Sequence, residues 1–144
     1  MSEPLGSLLL DTHALIWLIA NRLRPGISED IARAGLERPV LVSPISAWEI
    51  GLLAQRGEPG LDTPRFEPDP ASWLGRVLQR PTFAEAPFTS AIAIAAAFLP
   101  GAFHKDPADR LLVATARELD VPIVTRDRQI LRYAEDGHVR AIAC

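Results

Sequence analysis

Short apolar runs alternate with stretches of helical period over most of the chain. Ser7-Leu8-Leu9-Leu10 stops abruptly at Asp11, the pattern of a strand buried inside a sheet. From Thr12 to Ala20, residues Ala14, Leu15, Leu18 and Ile19 share a helical face. Arg24-Pro25-Gly26 breaks the chain, and Ser28 is placed to cap a helix to about Glu37 with Ile31, Ala34 and Leu36 inward. Pro39 opens a second strand, Val40-Leu41-Val42, ending at Ser43-Pro44. A helix follows with Ile45, Trp48, Leu52 and Leu53 at helical spacing, and Gly57 marks its far end. Residues 57–70 hold four Pro and two Gly and read as a loop. Ala71 to Gln79 regains helical period, and Thr82 to Ala86 alternates like a short strand. Thr89 or Ser90 caps an alanine-rich helix to Leu99, stopped by Pro100-Gly101. The pattern then predicts a helix over 107–120, a strand over 121–125, a short helix through Tyr133 and an edge strand from His138 to Ile142. Such alternation predicts an α/β fold, a mostly parallel sheet with helices on both faces.

Composition narrows the class without changing that picture. The 144 residues suit one domain, 1–144, able to bury its own core. Fifteen Lys and Arg against eighteen Asp and Glu leave a net charge of −3, which argues against broad adhesion to nucleic acid or anionic membrane but not against a local contact. A single cysteine, Cys144, excludes an internal disulfide and the cysteine-based zinc sites, and fits a reducing cytoplasm. Asp11 and His13 interrupt the first apolar stretch before a secretory signal could build up. The longest apolar run, Ala91 to Leu99, is far too short to span a membrane. The expectation is a soluble cytoplasmic protein.

The chemistry lies in acids that share a structural address. Asp11 follows the first strand, Glu49 sits early in the helix after the second, Asp109 opens the long C-terminal helix, and Asp127 follows the strand after it. In a parallel sheet the strand C-termini share one edge, where ligands bind. Carboxylates gathered there repel one another and need a counter-charge. The only lysine is Lys105, so a hard divalent cation, Mg²⁺ or Mn²⁺, is the natural partner of an all-oxygen set. Carboxylate-held metal is a device for phosphodiester hydrolysis.

Each acid also has a plainer role. Asp106 precedes Pro107, and helix capping is its stronger reading. For Asp109, pairing with the helix dipole, Arg110 or Arg126 competes with metal ligation. Asp127 is placed to start the helix at Arg128, and periodicity alone puts Glu49 in solvent. Asp11 resists dismissal, because an acid between Leu10 and Ala14-Leu15-Ile16 is expensive to bury alone. Arg110 and Arg126 flank the acids and read equally as phosphate grips or ion-pair partners. His13 and His104 lack metal-ligand spacing and read as hydrogen-bonding supports, while Trp17, Trp48 and Trp73 read as core. The Ala91–Ala97 helix suits tight packing or a dimer surface. No Gly-rich phosphate loop or Gly-x-Ser-x-Gly elbow occurs.

With these residues in place, the chain resembles the PIN-domain ribonucleases, and among them the VapC-type toxins of prokaryotic toxin–antitoxin pairs. Four blocks carry the resemblance in order: Leu8 to Leu15, Ser43 to Ile50, His104 to Ala116 with its Asp-Pro-x-Asp-Arg core, and Val124 to Asp127. The resemblance implies a three-layer α/β/α sandwich and a Mg²⁺- or Mn²⁺-dependent endoribonuclease. It makes Asp11 and Asp109 the principal metal ligands, with Glu49 completing the shell or orienting the attacking water. Asp127 would hold a second metal or act from behind, and Thr125 would support the acids. It further implies a homodimer silenced by a VapB-type antitoxin. The 57–70 segment is the least family-like part.

Two rival readings stay open. In one, Asp11 is the nucleophile of a phosphotransfer enzyme, although Asp11-Thr12-His13 lacks the second acid two residues on that such enzymes usually show. In the other, the acidic groove binds a basic peptide without catalysis.

Overall fold

The computed structural model describes residues 7–57 and 65–144, so the predicted lead-in at 1–6 and residues 58–64 of the predicted loop lie outside the described residues. The elements run β1 (Leu9–Leu10), α1 (Thr12–Ile19), α2 (Pro25–Glu37), β2 (Val40–Val42), α3 (Pro44–Gln55), α4 (Pro70–Gln79) and β3 (Phe83–Glu85). They continue α5 (Ser90–Ala97), α6 (Pro107–Leu119), β4 (Ile123–Thr125), α7 (Arg128–Glu135) and β5 (Ala141–Ala143). The strands form one sheet in the order β3-β2-β1-β4-β5, every neighbouring pair parallel.

The strands are apolar on both faces because both faces are covered. Leu8, Leu10, Val40, Val42 and Val124 pack with Leu15 and Ile16 of α1, Ile31 of α2, Ile50 of α3 and Val77 of α4. The residues between them, Leu9, Leu41 and Ile123, turn to the opposite layer, where Ile92, Leu112, Val113, Ile130 and Tyr133 of α5, α6 and α7 meet them. This is the expected α/β/α sandwich. Chain order reverses at β1, which has β2 on one side and β4 on the other. A crevice opens at such a reversal, at the carboxyl ends of the strands.

Helix starts are strongly marked. Asp11, Ser43, Asp69, Thr89, Asp106 and Asp127 each cap the helix that follows by accepting a main-chain N–H, and α2, α3, α4 and α6 carry Pro in their first turn.

Several expectations are corrected. Helix α2 starts at Pro25, not after a Ser28 cap; proline's fixed φ opens the helix, and the Ser28 hydroxyl is buried without a partner among the described residues. Leu36 is 86% exposed, since it lies about 140° around the helix from Ile31 and cannot share its face. Trp48 is 54% exposed for the same reason, two residues from each of the buried Ser46 and Ile50. Strand β5 starts three residues late, at Ala141. The turn ending α7 runs on through Gly137 (φ +87°) to His138, whose N–H donates to the Tyr133 carbonyl and whose own carbonyl accepts from Arg117.

Gly35 lets α2 lie close to the turn before β3: a Cβ there would stand 2.6 Å from Thr82 Cγ2 and 3.4 Å from the Thr82 carbonyl oxygen. Gly75 of α4 faces open space. Gly75→Ala should therefore raise stability by about 0.5–1 kcal/mol, the usual helix-interior gain. Gly35→Ala should lower it despite the same gain in propensity, as read from urea midpoints.

Candidate active site

Four segments deliver acids to the crevice. Asp11 leaves β1 only 8% exposed. Its Oδ1 accepts from the Ala14 N–H at 2.8 Å and its Oδ2 from the Thr125 hydroxyl at 2.5 Å. Burial raises its pKa, the bonds from Thr125 and Ala14 pull it back, and Asp127 pushes it up again. Thr125, fully buried at the end of β4, also accepts from the Asp127 N–H at 3.0 Å. One hydroxyl thus ties the first acid to the main chain of the last. Asp127 Oδ1 caps α7 through the Gln129 and Ile130 N–H groups at 2.8 and 3.1 Å.

Glu49 is half-buried, against the solvent position that periodicity gave it, because α3 turns it back toward the start of α1. Its Oε1 accepts from the Thr12 hydroxyl at 2.5 Å. The Ser46 hydroxyl lies 2.9 Å from that of Thr12, whose single proton is engaged, so Ser46 is the donor in that pair. Burial raises the Glu49 pKa, and the Thr12 bond lowers it.

Asp109, in the first turn of α6, is also pushed upward. Burial, then Asp106, Asp127, Glu49 and Asp11, push its carboxyl from 3.8 up to about 7. His104 Nε2 lies 3.2 Å from Asp109 Oδ2, close enough for an ion pair but without hydrogen-bond geometry. His104 Nδ1 accepts from the Asp106 N–H at 3.4 Å, a long bond. Ligand atoms of His104, Asp109 and Asp127 all lie within 4.8 Å of one another.

Asp11, Glu49, Asp109 and Asp127 line a single cavity of about 320 Å³ together with Thr12, His13, Trp17, Leu112 and Arg126. The tightest cluster is His104, Asp109 and Asp127, and Asp11 and Glu49 lie beside it in the same cavity. Asp106 is exposed and caps α6 through the Asp109 N–H at 3.0 Å, so its capping role is the one seen.

The two arginines part company. Arg110 pairs with no acid among the described residues; it donates to the carbonyls of Ala96, Ala97, Phe103 and His104, tying the end of α5 to the loop before α6. Arg126 stacks 4.2 Å over the Trp17 ring, and its Nε donates to the main-chain oxygen of Cys144 at 2.9 Å. Three contributors escaped the sequence reading, the first being His104, read as a hydrogen-bonding support and found clustered with Asp109 and Asp127. Thr12, which holds Glu49, was signalled only by its place after Asp11, and Trp17, read as core, lies under a cavity-lining arginine.

As a set, these groups fit a hard divalent cation. Mutually repelling carboxylates need positive charge, their oxygens suit Mg²⁺ or Mn²⁺, and a nearby imidazole is tolerated by Mn²⁺.

The PIN-domain family model matches residues 8–136. Ribonuclease VapC22 of Mycobacterium tuberculosis (strain ATCC 25618 / H37Rv) is 33% identical over 126 residues, covering 86% of this chain and 89% of its own. Among solved structures, VapBC2 from Rickettsia felis bound to a DNA fragment from its promoter gives a TM-score of 0.67 at 12% identity, covering 94% of this chain and 97% of the matched one. DNA-bound VapBC from Salmonella typhimurium also gives 0.67, at 18% identity, covering 96% and 98%. At those identities the structural likeness speaks for the fold alone, and the sequence matches carry the kinship. The chain belongs to the PIN-domain family, among its VapC-type members.

Proposed function

We propose that this protein is a Mg²⁺- or Mn²⁺-dependent endoribonuclease, the toxin of a toxin–antitoxin pair. The observation that carries the reading is one cavity lined by Asp11, Glu49, Asp109 and Asp127, delivered by four separate segments. Its kinship to a relative named as a ribonuclease supports the same reading. Asp11, Asp109 and Asp127 would hold the cation, with Glu49 beside them. The ion, when bound, would supply positive charge opposite the phosphodiester and lower the pKa of water so that a nucleophile is available near neutral pH.

The protein's own groups prepare that chemistry. Thr125 and the Ala14 N–H fix the Asp11 carboxylate, and Asp127 is fixed by its cap. Glu49 has Oε1 held by Thr12, while Oε2 has no hydrogen-bond partner among the described residues and is available to accept a proton from water. A VapB-type antitoxin, a homodimer and a cytoplasmic setting belong to the same proposal. No helix among the described residues is long and apolar enough to cross a membrane.

Asp11→Asn and Asp109→Asn should each abolish cleavage of total RNA in Mn²⁺ and relieve growth arrest on expression, with circular dichroism unchanged. Wild-type cleavage by either variant would remove the proposal. The Asp109 shift makes a separate prediction. The folded state holds this proton more tightly than the unfolded chain, from 3.8 to about 7, so its contribution is fully present below the lower value and is lost as pH rises through the higher one. Metal-free wild type should lose stability over that window, and Asp109→Asn should lose less, in urea melts taken at each pH.

A further inference from the structure

Arg126 lines the cavity with four carboxylates yet makes no ion pair with any of them among the described residues. A guanidinium so placed ordinarily falls onto a carboxylate in a two-pronged pair. Two contacts hold this one away. Its guanidinium carbon lies 4.2 Å from the centre of the Trp17 ring, a cation–π contact, and its Nε is engaged by the Cys144 main-chain oxygen at 2.9 Å. Both terminal NH₂ groups are left without a partner among the described residues. The neighbouring Thr125 and Asp127 anchor its main chain at the sheet edge. His13, 5.4 Å from Trp17 between ring centroids, continues the same wall.

An acidic cavity repels a polyanion unless something at its wall takes the phosphate charge. We propose that Arg126, held in place by Trp17 and the Cys144 oxygen, is the clamp that receives a backbone phosphate of the RNA substrate, and that Trp17 is its positioning residue. The inference rests on the ribonuclease reading and assigns the phosphate grip to Arg126 rather than Arg110, whose donors are already engaged by four carbonyls. A planar fork gripping two phosphate oxygens also makes lysine a poor replacement.

The test uses the full chain and a labelled random-sequence RNA oligonucleotide pool, with binding read by anisotropy over a salt series and cleavage read in Mn²⁺. Arg126→Gln should weaken binding roughly tenfold. It should flatten the slope of log affinity against log salt by about 0.7, the share of one phosphate contact on a single strand. KM should rise more than kcat falls, with circular dichroism unchanged and saturable Mn²⁺ binding retained. Arg126→Lys should restore the salt slope but not the affinity. Trp17→Leu, with its arginine intact, should lose affinity like Arg126→Gln, because the freed guanidinium can pair with a carboxylate. Wild-type affinity and slope in Arg126→Gln, in a wild type that does cut the pool, overturns the clamp alone. A wild type that neither binds nor cuts the pool overturns the ribonuclease reading and the clamp with it.

Discussion

The hydrogen bond from Thr125 to Asp11 joins the ends of β1 and β4, the two strands between which the sheet reverses its order. A carboxylate 8% exposed at the centre of an apolar sheet is a strong constraint on everything around it. It needs a donor from each side, and it has them: the Ala14 N–H at the start of α1 and the Thr125 hydroxyl at the end of β4. The Asp127 N–H, bonded to the same hydroxyl, carries the connection on to α7. Two strand ends and two helix starts are thereby set in one geometry, and the acidic cavity opens where they meet.

Capping and metal chemistry are not competing uses of these acids. A cap occupies one carboxylate oxygen and fixes the plane of the group. Asp127 caps with Oδ1 alone, which leaves Oδ2 to the cavity. Asp109 and Glu49 cap nothing, and their pKa values are raised, by burial first and by neighbouring acids as well. The result is a cavity whose charge is unbalanced within the chain. Arg126, the one cavity-lining arginine among the described residues, is held off the acids by Trp17 and the Cys144 oxygen. That imbalance is what a divalent cation would relieve.

Much of this was legible in the residues. Strand-length apolar runs marked β1, β2 and β4, alternation marked β3, and the succession of strands and helices predicted a mostly parallel sheet, which is parallel throughout. The acids were legible as a group through their shared position after strands or at helix starts. What periodicity missed has a geometric cause. Glu49 looks solvent-exposed when α3 is considered alone and is half-buried only because the start of α1 faces it. Trp48 and Leu36 look buried when apolar character is counted without angle. The different fates of Arg110 and Arg126 depend on carbonyls and a ring brought close by folding, which no local pattern encodes.

The central claim is that these acids gather to take up a doubly charged ion. Calorimetric titration of the metal-free protein with Mn²⁺ near neutral pH, repeated in buffers of different ionisation heat, tests it directly. The account predicts saturable binding accompanied by proton release, since the Asp109 carboxyl, pushed up to about 7, must give up its proton to the ion. Absence of saturable Mn²⁺ uptake by the folded chain would contradict it.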